Sequence, residues 1–287
     1  MTKRAVCVGI NNYSARGYNT LNASLKDAAG WAKVLVDAFG YDASNITSLT
    51  DGAATRQAVL SAVTTMLNQS AAGDVACFYF SGHGSRSQSA DASTWYEGIC
   101  CADVNGDITN QTFDSLAGAL SPSTVNFTLV LDSCHSGGVF DANVANAKTP
   151  TMSSDQIQAF INSCTSIVPH VLTTDVSKFA NNVQITKGDS GSPDMTSDDA
   201  LNFSDSATAT LFAACGYKET ALDGTTNSAF TQAMLDTINQ CPFTIGHNDF
   251  LTQVRSAVKT YSSQTPQLRG RPVRLQENFL AGWNYSI

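Results

Sequence analysis

Apolar runs alternate with amphipathic stretches through the first half of the chain. Short continuous apolar runs are typical of strands buried on both faces, and apolar positions three or four residues apart indicate helices. These patterns predict an alternating series of elements (strands 4–10, 46–50, 74–81 and 127–133; helices 25–39, 55–69 and 111–120). Such alternation predicts an α/β fold with a mostly parallel sheet covered on both faces.

Residues 141–206 interrupt this pattern. Asn, Ser, Thr, Asp and Gly replace the apolar periodicity there, apart from a helix-like piece near 154–164, so we interpret the segment as a long surface linker. Beyond it the periodicity returns and predicts further elements (strand 209–215, helices near 228–239 and 247–261, strand 271–276). We therefore predict a single domain over 1–287, with the linker between halves 1–140 and 207–287.

Two predicted strands end in segments that carry reactive side chains. Asp132-Ser-Cys-His-Ser-Gly-Gly138 closes one apolar run, and Tyr79-Phe-Ser-Gly-His-Gly-Ser85 closes another. Because open α/β sheets bind ligands beyond the carboxyl ends of their strands, both loops are expected to open on one crevice. A thiolate is the nucleophilic form of cysteine, and a nearby imidazole can exchange the protons of the reaction. We therefore predict Cys134 as nucleophile and His83 as base.

Each of these assignments has an alternative. A cysteine in an apolar run is usually a small buried hydrophobe, and this is the competing interpretation of Cys134. His135 adjoins the nucleophile, but successive side chains on an extended chain diverge. His170 lies in the linker and His247 precedes a helix, where exposed or capping roles are expected.

Taken together, the motifs resemble the metacaspases and their prokaryotic relatives, which are cysteine peptidases with a caspase fold. His83 precedes Cys134 by 51 residues, close to the separation of roughly 50 in caspases. The shared pieces run over nearly the whole chain: Val-Gly-Ile-Asn-Asn-Tyr at 8–13, Leu21 through Asp27-Ala28, the two loops above, Ala229-Phe-Thr231 and Gln264-Thr-Pro-Gln-Leu268. The resemblance implies a caspase-like three-layer α/β/α sandwich and an endopeptidase acting through a thioester. A catalytically silent or latent caspase-fold binding module is the alternative.

The resemblance also implies roles for further residues. In the family's arrangement, the backbone amides of Gly84 and Cys134 face the oxyanion. The residues that match the family's acidic first pocket are Asp27, Ser81, Asp132 and Ser24. Two carboxylates can hold a guanidinium through charge-assisted hydrogen bonds, so arginine is expected before the cleaved bond, and lysine less readily. An exposed carboxylate in the first turn of a helix is the alternative for Asp27.

Activation is a further expectation drawn from the family. Members commonly cut themselves between the two halves; because no arginine lies between Arg86 and Arg255, the candidate positions here are Lys148, Lys178 and Lys187. Calcium also activates many metacaspases, and the weak candidate ligands are Asp91, Glu97, Asp103, Asp107 and Asp114. Asn110 and Gln111 stand where the family has paired aspartates, which leaves calcium activation open. The chemistry itself requires no cofactor.

Three other interpretations of local motifs fit the sequence less well. Gly188-Asp-Ser-Gly-Ser-Pro193 is similar to the nucleophile loop of chymotrypsin-like peptidases, but those proteins are all-β. A cysteine phosphatase would need an arginine at 140, which is Phe140. The run 103–107 spaces oxygens somewhat like a calcium-binding loop, yet its glycine falls at the fourth position instead of the sixth, which favours a polar turn.

Composition limits the partners. The net charge is −8 with a pI near 4.8, and no cluster of Lys and Arg is evident, so we expect protein or peptide substrates with basic residues and no nucleic acid. No apolar stretch reaches membrane-spanning length and no signal-peptide core is evident, which predicts a cytoplasmic protein without membrane contact. Several of the eight cysteines lie in apolar runs, which predicts reduced, buried thiols. The resemblance implies a monomer.

Overall fold

A six-stranded sheet forms the centre of the molecule. The structure is a computed structural model that describes residues 1–88, 95–105, 107–120, 124–134, 209–216, 219–241 and 244–281. Its strands are β1 Lys3–Gly9, β2 Ile46–Thr50, β3 Val75–Ser81, β4 Gly84–Gln88, β5 Trp95–Ile99, β6 Ile108–Thr109, β7 Asn126–Asp132, β8 Ala209–Ala213 and β9 Gln267–Arg269. The central sheet has the order β2-β1-β3-β7-β8-β9, with all pairings parallel except that of β8 with β9.

Helices cover both faces of this sheet. They are α1 Ser24–Asp37, α2 Arg56–Asn68, α3 Asn110–Leu120, α4 Ala229–Ile238, α5 His247–Val258 and the short α6 Pro272–Leu275. One apolar core includes residues of α2 and α3, and a second includes residues of α1, α4 and α5. Strand β3 divides its side chains between them: Phe78 and Phe80 belong to the first core, Cys77 and Tyr79 to the second. The predicted three-layer α/β/α sandwich is confirmed. Among helices of the described ranges, none is long and apolar enough to cross a bilayer.

Strands β3 and β7 are buried along their whole length, which is why they read as continuous apolar runs. Their register with β1 places Gly9, Ser81 and Asp132 side by side at the carboxyl ends of the three strands. The two predicted loops therefore leave the sheet at the same level.

Two elements differ from the prediction. A small antiparallel sheet, β4-β5-β6, follows the histidine loop and was not predicted from the pattern. The predicted strand at 271–276 is wrong: the edge strand is β9, and Pro272 begins helix α6 instead. Proline lacks the amide hydrogen that a strand ladder needs, and its fixed φ suits the first turn of a helix.

Candidate active site

The histidine and cysteine loops meet at the carboxyl edge of the sheet. His83 follows β3 by two residues, and Cys134 follows β7 by two residues. A Cβ added to Gly84 would lie 1.8 Å from the carbonyl oxygen of Cys134, so the two backbones are in direct contact there. Only glycine permits this approach.

His83 is completely buried and held on several sides. Its Nε2 lies 2.8 Å from the carbonyl oxygen of Asn19, and its ring centroid lies 4.6 Å from that of Tyr13 and 6.0 Å from that of Tyr18. A carbonyl oxygen can only accept, so Nε2 carries the hydrogen, which leaves Nδ1 as the nitrogen for proton exchange. The group that orients His83 cannot be recognised in the sequence, because a backbone carbonyl has no residue signature.

The Cys134 thiol is also covered. The residue is 1% exposed, and its Sγ accepts a hydrogen bond from the amide of Ala221 at 3.2 Å and lies 3.5 Å from the carbonyl oxygen of the same residue. An N–H donor stabilises sulfur in its thiolate form. The carbonyl of the same residue instead favours the protonated thiol, so Ala221 shields the sulfur without selecting one of its two forms.

The other described cysteines are free thiols. Burial raises the pKa of Cys7, Cys100 and Cys101 well above the usual value, and that of Cys77 to about 12. These four thiols remain protonated at neutral pH and are poor nucleophiles. The buried, reduced state expected from the sequence is seen for them.

Three residues of the predicted acidic pocket come together. Asp27 accepts hydrogen bonds from Ser81 Oγ at 2.7 Å and from the amide and Oγ of Ser228 at 2.9 and 2.8 Å. Asp132 accepts from the amide of Thr231 at 3.1 Å and from its Oγ1 at 2.5 Å. It also lies close to Ser228 Oγ, whose single hydrogen can be donated to only one of the two carboxylates at a time. The exposed-carboxylate alternative for Asp27 is wrong, because its side chain is fully buried.

The charges of Asp27 and Asp132 act on the neighbouring side chain of Tyr79. Burial, and then the charges of Asp27 and Asp132, raise the pKa of Tyr79 well above its usual value, and its hydroxyl lies 2.5 Å from Thr231 Oγ1. Ser24 is buried, but its Oγ has no hydrogen-bond partner among the described residues. The structure therefore links Asp27, Ser81 and Asp132 and leaves Ser24 outside the hydrogen-bonded network.

One segment of the second half covers both the thiol and the carboxylates. We call residues 219–228 the closing segment. Besides Ala221 and Ser228, it contains Asp223, whose carboxylate accepts from the amides of Asn22 at 2.7 Å and Ala23 at 3.0 Å, at the start of α1. Gln264 joins the same segment to the residue that follows β8, since it accepts from the amide of Leu222 and donates to the carbonyl of Ala214. The sequence gives no signal for these contacts, because they join positions far apart in the chain.

The calcium candidates have other partners. Asp103 accepts from the amide of Arg56 and from Asn105, and Asp107 forms an ion pair with Arg16 at 2.6 Å. Glu97 is buried on β5, and within the described ranges no group of three or more His, Cys, Asp or Glu side chains could hold a metal ion. Asp91 and the side chain of Asp114 lie outside the described part.

Some of the remaining predictions concern residues outside the part of the chain that the structure describes. The linker, with Lys148, Lys178 and Lys187, is not covered, nor are His135 and His170. The exposed or capping role expected for His247 is wrong. This residue is fully buried, and its Nδ1 lies 2.9 Å from the carbonyl oxygen of Arg274. The tertiary packing of α5, which the local pattern does not encode, decides this.

Comparison with known proteins agrees with this arrangement. The fold and the paired strand-end loops define a caspase-like α/β protein, and the crystal structure of a Geobacter sulfurreducens protein superposes on 98% of this chain and 99% of its own, with a TM-score of 0.71 and 19% identity. The family model for the caspase domain matches residues 2–276. The chain belongs to the caspase-domain family of cysteine peptidases.

Metacaspases are among its relatives. Metacaspase-4 of Arabidopsis thaliana is 33% identical over 150 residues, which cover 49% of this chain and 35% of that protein. Metacaspase-1 of Schizosaccharomyces pombe is 24% identical over 293 residues, which cover 93% of this chain and 66% of that protein. The chain thus spans between about a third and two thirds of the length of these relatives.

Proposed function

We propose that the protein is a cysteine endopeptidase that cleaves peptide bonds after arginine and, less readily, after lysine. The observation that supports this most is that strands β1, β3 and β7 end at the same level of the sheet. This shared level brings the histidine and cysteine loops into backbone contact and seats Asp27 and Asp132 directly beside them. Protein substrates follow from the family; the basic-residue preference, a monomeric state and the cytoplasm as compartment belong to the proposal.

In this proposal Cys134 and His83 act in two steps. Cys134 first gives its thiol proton to His83, and the resulting thiolate sulfur bonds to the peptide carbonyl carbon. His83 then gives that proton to the departing amine, and the C–N bond breaks to leave a thioester. His83 then takes a proton from water, the hydroxide oxygen bonds to the same carbon, and the thiolate leaves. The amides of Gly84 and Cys134 would stabilise the oxyanion in both steps. The hydrogen bond from Nε2 to Asn19 keeps Nδ1 available for each proton transfer.

The acidic pair supports the choice of substrate. A guanidinium is planar and can donate to two carboxylates at once, whereas an ammonium is a compact point charge with a stronger hydration shell. Asp27 and Asp132 both approach Ser228 Oγ, so their charges converge on one spot. Convergence of two charges favours arginine over lysine and disfavours an acidic residue.

A release assay with fluorogenic peptides ending in Arg, Lys or Asp tests this proposal. We expect release after Arg, slower release after Lys, and none from the Cys134→Ala variant. Cys241→Ser, at a half-exposed thiol in the other half of the chain, is the matched control and should behave as the parent. Release after Asp alone would contradict the acidic pocket, and release that survives Cys134→Ala would contradict the nucleophile. Arms with and without millimolar calcium decide the open question of activation.

The closing segment favours a second candidate, a latent form of the same enzyme. With Cys134 1% exposed and both carboxylates fully buried, a substrate can reach the site only after this segment moves. We infer that self-cleavage in the linker, after Lys148, Lys178 or Lys187, or calcium binding would permit that movement. The variant Asp223→Asn weakens the contact with α1 and should raise basal peptide release. Asp42→Asn, which weakens a similar carboxylate-to-amide contact at Ser44, is its control. A fall in release on Asp223→Asn would mean that the segment builds the pocket and does not restrain it.

A further inference from the structure

The segment that holds His83 is anchored by a buried arginine. Residues 13–19 follow β1 and include a short 3-10 helix, Ser14–Arg16, that ends at Gly17 with φ 68°. This segment supplies the two tyrosine rings and the Asn19 carbonyl that contact His83. The position of the imidazole therefore depends on how firmly the segment itself is held.

Arg16 provides an inward anchor. Its side chain is 2% exposed, and its Nη1 donates to Asp107 Oδ1 at 2.6 Å and to the carbonyl oxygen of Cys101 at 3.2 Å. Its guanidinium carbon lies 4.8 Å from the ring centroid of Tyr18, the ring that meets His83 edge-on. A single side chain thus fixes Tyr18 from one face while it is held by two groups of the 100–107 loop.

The same loop also binds His83 directly. The amide of Cys100 donates to the carbonyl oxygen of His83 at 2.9 Å. Tyr13 donates its hydroxyl to the carbonyl of Cys100 at 3.1 Å and accepts from the amide of His83 at 2.9 Å. Burial raises the pKa of Tyr13 well above its usual value, so the hydroxyl keeps the proton that it donates. Hydrogen bonds with Cys100 and with the Tyr13 hydroxyl fix the main chain of His83, and its ring is held by contacts with the 13–19 segment.

The anchor is a buried ion pair between Arg16 and Asp107, and this type of contact points to its role. A buried ion pair is often replaceable by apolar residues of similar volume without loss of stability, so its presence argues for a geometric role. A guanidinium has a fixed fork of donors and a flat face, which lets it set the direction of two acceptors and one ring together. Lysine keeps the charge but has neither property.

We propose that Arg16 is a positioning residue for the reaction: through Tyr18 and Asn19 it holds the His83 imidazole in the orientation and tautomer that catalysis uses. This inference rests on the proposed function, since it assigns the base of that reaction. Asp107 is then the partner that holds Arg16 and is not available as a ligand for a metal ion. Misplacement of a reacting group by about 1 Å can cost up to about a hundredfold in rate, which sets the scale of the expected effect.

Four variants test the proposal by kinetics with an arginyl fluorogenic peptide. Arg16→Met should lower kcat by about ten- to a hundredfold and leave KM within about twofold, because the acidic pocket is untouched. Arg16→Lys should recover part of the loss. Arg4→Met removes another part-buried ion pair, with Asp74, at the opposite end of the sheet, and should change neither constant. If Arg16→Met does not fold, Asp107→Asn, which keeps the shape of the side chain, should lower kcat in the same direction by less.

A second measurement does not depend on peptidase activity. Imidazole ¹⁵N spectra in the Cys134→Ala background, with His83 assigned by its loss in His83→Ala, should show the proton on Nε2 in the parent. Arg16→Met should give a mixture of tautomers, and Arg4→Met should not. An unchanged His83 spectrum together with unchanged kcat in Arg16→Met would overturn the proposal. If the parent cleaves no peptide but the spectrum responds to Arg16→Met, the positioning role stands and the proposed peptidase function fails.

Discussion

The two ends of the central sheet bury carboxylates in different ways. At the amino end, where β1 and β3 begin, Asp74 forms an ion pair with Arg4 at 2.9 Å and accepts from the amides of Thr2 and Ala71. Burial alone would raise the pKa of Asp74, but these hydrogen bonds and the charge of Arg4 lower it. The amino end therefore uses its charges to hold the start of the chain in place.

At the carboxyl end, two carboxylates approach one hydroxyl. Asp27 and Asp132 are fully buried and share Ser228 Oγ, with further bonds from hydroxyls and amides. Placing like charges together in the interior is costly for folding, so the arrangement is expected where a ligand cation will join it. Under the proposed function, the amino end of the sheet is arranged for stability and the carboxyl end for substrate binding.

The largest effect should come from the two groups that we place at the reacting bond. Cys134→Ala and His83→Ala should each lower kcat/KM by at least about a thousandfold, and the double variant should be no worse than the single ones, because the two side chains act as a unit. Rates of peptide release measure this. The midpoints of thermal unfolding should stay close to that of the parent. Additive losses in the double variant would contradict the joint role.

A second effect should appear in the acidic pair. Asp132→Asn should lower kcat/KM for arginyl peptides by about a hundredfold, since charge-assisted hydrogen bonds contribute about 1.5–3 kcal/mol each. Its stability should not fall, because a charge beside another carboxylate has been removed. Urea unfolding and peptide kinetics on the same sample decide this. Loss of stability with unchanged kinetics would place Asp132 among the structural groups and erase the contrast between the ends.

A third effect concerns the pH dependence of stability. It involves the C-terminal part of the chain, which covers the amino end of the sheet. Burial lowers the pKa of His247 to about 4 from 6.5. The folded protein therefore binds fewer protons here than the unfolded chain does, and this contribution to stability is present above pH 6.5 and is lost as the pH falls towards 4. The loss amounts to at most about 3 kcal/mol.

The nearby Glu277 acts in the opposite direction, because burial, partly offset by Arg274, raises its pKa to about 7 from 4.5. A comparison of His247→Gln with the parent isolates the histidine. The difference in unfolding free energy between the two proteins should change steadily between pH 6.5 and 4.5, with the parent losing more on acidification. A constant difference over that range would show that His247 does not titrate as its burial implies.

The smallest effect should come from the ion pair at the amino end. Arg4→Met should lower the free energy of unfolding by about 1 kcal/mol, since the pair is only partly buried and Asp74 keeps its backbone donors. Peptide release should be unchanged. Urea denaturation measures the free energy of unfolding, and the release assay measures the activity. A clear drop in release would mean that the two ends of the sheet are coupled.

Much of the fold was predictable because it depends on local pattern. The apolar runs of β1, β3 and β7 and the amphipathic spacing of α1 and α2 determined the class of the sheet and its covering helices, and the family resemblance of the histidine and cysteine loops agreed with them. The β4-β5-β6 sheet was not predicted, because its strands are short and its pairing is set by contacts across a loop.

The sequence by itself determined the residue types at the strand ends: a thiol, an imidazole and two aspartates after buried strands or in the first turn of a helix. Only the tertiary structure decided which groups surround them. Asn19 acts through a backbone carbonyl, Ala221 through a backbone amide, and Ser228 lies 201 residues from Asp27. Backbone groups are the same in every residue and distant contacts leave no periodic trace, so neither can be read from a single chain until it is folded.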